Sequence, residues 1–351
     1  MRSQLVRRAC LILAAAAGVT VISAEGGSAL GEHSPPAVRV LPGPVRLDPY
    51  RLFPYAYRPD AALTAAVSRA AVQYVPDEAE ASVAAAAARA LNERIPLPAN
   101  TDIVAFYGHP SSKRMGILGE YPKDKVAGLL AGYSQLFDAA NGDRDVKAAF
   151  HLIYGTCWPE GEIGYMSGSV VEEYVRFAAE RGMLVFLDHQ IGKYTVEESV
   201  RRLLPFLRYP NVHLALDPEW RTLAPMKEIG TVTAAELNRA QELVQDYLVE
   251  HGLPGVRMLV VHQFTESMIR DRARVRADFD RVLPVHVMDG FGHPALKRYS
   301  YAMNSRAVNL PLKGFKLFFK SGYPGAGFDE PLMTPREVLE LAPAPILILY
   351  Q

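Results

Sequence analysis

The sequence is short of cysteine and tryptophan and has no net charge, and each shortage removes a class of protein. There are two cysteines, and Cys10 sits inside the amino-terminal apolar run. If that run is cleaved off, Cys157 stands alone and no internal disulfide can form, even in an oxidising compartment. Lysine plus arginine equals aspartate plus glutamate, 38 each, so the formal charge is zero. No basic excess is available for nucleic acid or anionic lipid. A Gly-rich phosphate loop is also missing. Tyr107-Gly108-His109-Pro110 occupies the place after the first strand-like run, which argues against a dinucleotide-binding open sheet. There is no His-Glu-x-x-His and no His-x-His on the first strand, so no ligand spacing is diagnostic of a metal, and no metal or cofactor is assigned from the sequence.

What is present suits a globular protein. At 351 residues and 49% apolar composition, the chain can bury a large core. Arg2, Arg7 and Arg8 precede an apolar run from Ala9 to Ile22, followed by Ser23 and Ala24. That order is the order of a cleavable export signal over residues 1–24, and the run is short for a membrane span. The expected location is secreted or attached to the cell envelope. A lipid anchor on Cys10 has little support, because the residues before it do not form a good lipoprotein box. Residues 25–59 are rich in Pro and Gly and read as an extended segment. Residues 60–99 hold two Ala-rich stretches, including Ala84 to Ala88, and predict a helical extension packed on the main domain.

From residue 100 to 351 a strand and helix alternation predicts a single α/β domain. Short apolar runs recur at Ile103–Tyr107, Ala149–Tyr154, Leu184–Leu187, Val212–Leu216, Met258–Val261, Leu283–Met288, Phe315–Phe319 and Ile346–Tyr350. They are apolar on both parities, as parallel strands covered on both faces must be. Capping boxes are expected at Ser169 with Glu172, Thr195 with Glu198, Thr233 with Glu236 and Thr334 with Glu337. Gly142, Gly182 and Gly252 stand where helices should stop. The reading is a (β/α)8 TIM-type barrel lacking its last helix, with the Ala-rich extension expected to cover the gap.

In such barrels chemistry gathers at the carboxyl ends of the strands. Read to their ends, the runs supply Tyr107 and His109, Trp158, Asp188-His189-Gln190, Asp217-Pro218-Glu219-Trp220, His262-Gln263, Asp289, Lys320 and Tyr350. Alternation along the fourth run sets Leu214 and Leu216 toward the helices and Asp217 into the mouth, with Glu219 following if the strand continues. Asp217, Glu219, Asp188 and Asp289 are the candidate catalytic carboxylates. One acid can protonate a leaving oxygen while a second carboxylate stabilises or attacks an anomeric centre. Tyr107, His109, Trp158, His189, Gln190, Trp220, His262, Gln263, Lys320 and Tyr350 are the expected substrate contacts. Arg221, next to Trp220, is a competing partner for the acids.

The stretches LALDPEW (Leu214 to Trp220), VVHQF (Val260 to Phe264) and VMDGFG (Val287 to Gly292), with the closing LAPAPILILYQ, resemble a family of exported bacterial barrel proteins, some called lipoproteins, whose function is unassigned. Asp217-Pro218-Glu219 also has the spacing of the Asp-x-Glu in lysozyme-like barrel glycoside hydrolases, although the Asp-rich strand motif of the chitinase type is absent. The leading expectation is a glycoside hydrolase acting on an extracellular or cell-wall polysaccharide. Its partners would be a carbohydrate or other small polar substrate, with no nucleic acid and no span in the mature chain. Two alternatives stand beside it. One is a metal-dependent hydrolase or isomerase using Asp188, His189, Asp217, Glu219, His262 and Asp289. The other is a non-catalytic barrel that binds glycan through Trp and Tyr.

Overall fold

The computed structural model describes residues 100–323 and 325–351. The expected export signal, Pro-rich segment and Ala-rich extension all lie outside them. Eight parallel strands pair side by side in the order β1 (Thr101–His109), β3 (Asp145–Cys157), β5 (Leu184–His189), β6 (Val212–Leu216), β8 (Arg257–Gln263), β10 (Val282–Met288), β11 (Leu312–Leu317) and β12 (Leu347–Tyr350). Pairing of β12 back onto β1, and of β1 onto β3, closes the barrel. Each of the eight apolar runs falls on one of these strands, with Phe318, Phe319 and Ile346 just beyond the strand ends. Two short strands, β2 (Ser112–Gly116) and β4 (Ile163–Tyr165), fold back as hairpins on β1 and β3. A separate parallel pair joins β7 (Val232–Thr233) to β9 (Ile269–Arg270).

Helices α1 (Lys123–Asp138), α2 (Gly168–Glu180), α3 (Val196–Leu203), α4 (Ala234–Glu250), α5 (Pro294–Ser305) and α6 (Pro335–Leu339) connect the strands. Reciprocal capping boxes start three of them at Thr195, Thr233 and Thr334. The fourth expected box is displaced. Ser167, not Ser169, caps α2 by accepting from Val170 N, because Gly168 and Ser169 already belong to the helix. Gly142, Gly182 and Gly252 take φ of 74°, 65° and 58°.

Alternation along the strands makes two separate cores. Leu214 and Leu216 join the outer layer between strands and helices, while Ala215 points into the barrel with Ile103, Ala105, Phe186, Val260, Val285 and Leu349. The inner group fills the axis below the mouth. Gly314 belongs to it by necessity, since a Cβ there would stand 2.6 Å from Cγ2 of Val287. Around β12, where no helix follows among the described residues, the outer face is closed by aromatic rings. Tyr350 packs against Tyr133 and Phe137 of α1, at ring separations of 4.7 and 6.3 Å, and against Phe319 at 5.2 Å. The amino-terminal rim is held by Asp102, which accepts from Arg144 at 2.6 Å and Asn141 at 3.0 Å. Conserving stability rather than chemistry is the usual role of that face of a barrel.

Candidate active site

The carboxyl-terminal mouth collects polar and ionisable side chains from β1, β3, β5, β6, β8, β10 and β11 or the residues just after them. Register sets Tyr107 of β1 level with His151 of β3, and their rings lie 5.0 Å apart. The Tyr107 hydroxyl donates to Oδ2 of Asp188 at 2.7 Å. His262, at the end of β8, stands between two acids: Nε2 is 3.9 Å from Asp188 Oδ2 and Nδ1 is 3.3 Å from Asp289 Oδ2. Lys316 of β11 pairs with Asp289 Oδ1 at 2.8 Å and lies 3.8 Å from the centre of the Tyr107 ring. Asp188, His262 and His151 are wholly buried, and Asp289 and Lys316 nearly so.

A buried ion pair behind the mouth fixes this arrangement. Lys297 of α5 lies 3.0 Å from Asp329 and donates to the carbonyls of Gly290 and Lys316 at 2.6 and 2.7 Å. Asp329 in turn accepts from Gly292 N at 2.9 Å and Phe318 N at 3.0 Å. The loops after β10 and β11 are therefore tied together just beyond Asp289 and Lys316. Hydrogen bonds at every position are what make two buried charges tolerable.

Strand β6 ends at Leu216, as the Val212–Leu216 run predicted, and does not continue to Glu219. Asp217 caps a single turn of 3-10 helix, Pro218–Trp220, accepting from Glu219 N at 3.2 Å and from Trp220 Nε1 at 3.0 Å. Glu219 thus reaches the lip through this turn and not by continuing the strand. Gly230 fastens the turn by donating to Glu219 O at 2.6 Å, and a Cβ on it would meet Pro218 O at 2.3 Å. Arg221 does not neutralise either acid. It pairs instead with Glu236 of the α4 capping box at 2.9 Å.

The environments push these acids apart. Burial, then the nearby Asp289, lifts Glu219 to about 7, although the side chain keeps some contact with solvent at the lip. Burial raises Asp217 well above the carboxylate range, with Glu219, Asp188 and Asp289 adding to the effect. Asp188 is raised by burial as well. For Asp289 burial pulls upward too, but Lys316 and His262 outweigh it and hold the carboxyl at about 2. A proton donor and a firmly ionised carboxylate in one mouth is the division of labour that acid–base catalysis needs.

The remaining expected contacts fall into two groups. Trp220 lies at the lip with Glu219, and Trp158 stands exposed on the β3–β4 hairpin. His109 is the last residue of β1, accepting from Ser111 N at 3.1 Å. The side chains of the other five meet neighbours other than the clustered acids. His189 lies under the β3–β4 hairpin, 5.6 Å from the Tyr165 ring, and Gln190 holds that hairpin by accepting from Cys157 N at 2.9 Å. Gln263 is bound to Arg272 at 3.1 Å and His286 at 2.6 Å in the outer layer. Tyr350 is part of the aromatic closure already described, and Lys320 is exposed over Phe328. Cys157 is a buried thiol that burial pushes up to about 11, which disfavours a nucleophile.

Sequence reasoning missed Lys316 and His151. Both sit inside apolar runs, Lys316 between Phe315 and Leu317 and His151 between Phe150 and Leu152. Parity was the available signal, since His151 shares it with inward-facing Ala149. The internal void lined by Leu237, Leu259, Val261 and His286 lies between β8, β10 and α4, away from this chemistry.

No protein-family model matches the chain, and no curated protein matches it. Several solved structures are similar in shape. Oxaloacetate acetylhydrolase in complex with the product oxalate has 9% identity over 75% of this chain and 80% of that one, with a TM-score of 0.42. A chitinase from Chromobacterium violaceum has 11% identity over 61% and 68%, at 0.34. The endo-beta-1,4-glucanase of Xanthomonas axonopodis pv. citri has 10% identity over 72% and 87%, at 0.37. Likeness this slight carries no argument about reaction, and the barrel rests on the chain's own strand pairing.

Proposed function

We propose that the chain is a hydrolase of glycosidic bonds, with Glu219 as the general acid and Asp289 as the anionic partner. The observation that carries this reading is the pairing of Lys316 with Asp289 at 2.8 Å beside an acid at the lip, Glu219, with no ion pair among the described residues, since Arg221 is taken by Glu236. An acid that keeps its proton near neutral pH can protonate a leaving oxygen, while an ionised carboxylate attacks the anomeric centre or stabilises its positive charge. Trp220, beside Glu219, offers an indole face on which a pyranose ring stacks.

Asp217 takes a supporting role in this scheme. Its two oxygens are occupied by Trp220 and by the backbone of Glu219, so it sets the position of the acid. The proposed substrate is a polysaccharide outside the cytoplasm, on the strength of Arg2, Arg7 and Arg8 ahead of the Ala9–Ile22 run. Among the described residues no helix is long and apolar enough to cross a membrane.

The test is hydrolysis of a panel of polysaccharides and cell-wall material by the wild type, Glu219→Gln and Asp289→Asn. Losses of roughly 10²–10⁴-fold in kcat for both variants, with folding intact, support the mechanism. Turnover that survives both substitutions overturns it. Glycan binding without any turnover by the wild type favours a binding barrel instead.

A further inference from the structure

Below the acids, three buried side chains from three strands face one another. His151 of β3, Asp188 of β5 and His262 of β8 each offer a ligand atom within 4.8 Å of the other two. Among the described residues neither ring nitrogen of His151, nor Nε2 of His262, nor Oδ1 of Asp188 has a hydrogen-bond partner. Buried polar atoms are nearly always satisfied, so a knot of orphans marks the place of an occupant.

The surroundings suit a cation better than a water molecule. Asp289 Oδ2 stands 3.3 Å from Nδ1 of His262, which turns Nε2 toward Asp188. Tyr107 donates to Oδ2 of Asp188 and leaves Oδ1 bare. A carboxylate behind a histidine and a donor behind a carboxylate are the supports that orient metal ligands.

The donor set selects the ion. Two imidazoles and a carboxylate suit Zn2+ and its first-row neighbours, whereas Mg2+ and Ca2+ prefer oxygen ligands throughout. We propose that His151, Asp188 and His262 bind one divalent transition-metal ion, Zn2+ by preference, at the floor of the mouth. Three protein ligands are the number found in sites that keep a position for water or a substrate oxygen. This inference goes beyond the hydrolase reading, since ion binding requires neither Glu219 nor turnover.

The experiment uses the full chain stripped with chelator, titrated with ZnCl2 by calorimetry and with CoCl2 by visible absorption. The expected result is one ion per chain and the intense visible bands of a four- or five-coordinate Co2+ site. Binding is lost in His151→Ala and in His262→Ala, and falls ~10–100-fold in Asp289→Asn. If the alanine variants do not fold, the wild-type Co2+ spectrum decides alone: the weak spectrum of hexaaqua Co2+ overturns the site. Failure of the wild type to take up either ion, or undiminished binding in both histidine variants, overturns it equally. None of these readouts depends on hydrolysis, so the ion site and the glycosidase reading fail separately.

Discussion

Lys316 and Asp289 meet at 2.8 Å with both side chains almost wholly buried, and their contact sorts the acids of the mouth into two kinds. Asp289 is the acid with a lysine against it, and it alone among the four is held below the ordinary carboxylate range. Glu219, Asp217 and Asp188 are all raised, each chiefly by burial. Glu219, at about 7, therefore keeps part of its proton near neutral pH in the same strand-end layer as the ionised Asp289.

Breaking that pair should be costly. Lys316→Met leaves Asp289 buried without its cation, and the expected loss of stability is about 3–5 kcal/mol. Chemical denaturation at pH 7 measures it. A loss under about 1 kcal/mol, the range of an exposed ion pair, contradicts the buried geometry.

The pH dependence follows from Glu219. Its folded pKa, about 7, lies above the ordinary 4.5, so the folded state holds this proton more tightly than the unfolded state. Stability from this group is fully present below about 4.5 and is lost as pH rises through about 7. Glu219→Gln should flatten that part of the stability profile. Activity that depends on the Glu219 proton should fall on the same alkaline limb. An activity profile with no inflection near pH 7 speaks against Glu219 as the acid.

Gly230→Ala tests how the acid is positioned. The added Cβ would stand 2.3 Å from Pro218 O and 2.4 Å from Arg221 N, so the turn carrying Glu219 must move. A displacement near 1 Å costs catalysis on the order of 10²-fold. The expected outcome is a fall in kcat beyond what any change in the folded fraction explains. Unchanged kcat in a folded variant shows that the turn need not be held so closely.

Tyr350→Ala separates core from site. Its ring is one of the aromatic group formed with Tyr133, Phe137 and Phe319, so truncation should cost about 3–5 kcal/mol. KM and kcat of the remaining folded protein should not change. A rise in KM at unchanged stability returns Tyr350 to the substrate contacts expected from its place at a strand end.

The barrel was legible because its strands are apolar on both faces and its helices begin with strong caps. The Thr195, Thr233 and Thr334 boxes needed only local chemistry to be recognised. Asp188, Asp217, His262 and Asp289 were visible as polar residues ending apolar runs. Lys316 was not, since a lysine inside Leu312–Leu317 breaks no pattern until Asp289, from the neighbouring strand, arrives to pair with it. His151 was hidden in the same way. The reach of Glu219 depended on where β6 stops, and that is decided by the Asp217 cap and the distant Gly230. Whether Gln190, Gln263 and Tyr350 face the mouth was a question of parity and twist that strand-end position alone does not answer.

The apolar filling of the barrel axis makes the mouth a blind alley. Phe186, Val260, Val285 and Leu349 stop the channel beneath the polar layer. On the proposed hydrolase reading a polymer cannot be threaded through such a body, and released fragments must leave by the opening through which they came. A long substrate has two ways to present itself, lying crosswise over the rim past Trp158 and Trp220 or lowering one terminus toward Asp289. The sizes of the first fragments released would tell these apart, a broad spread for crosswise cutting and a single short unit for cutting from the end.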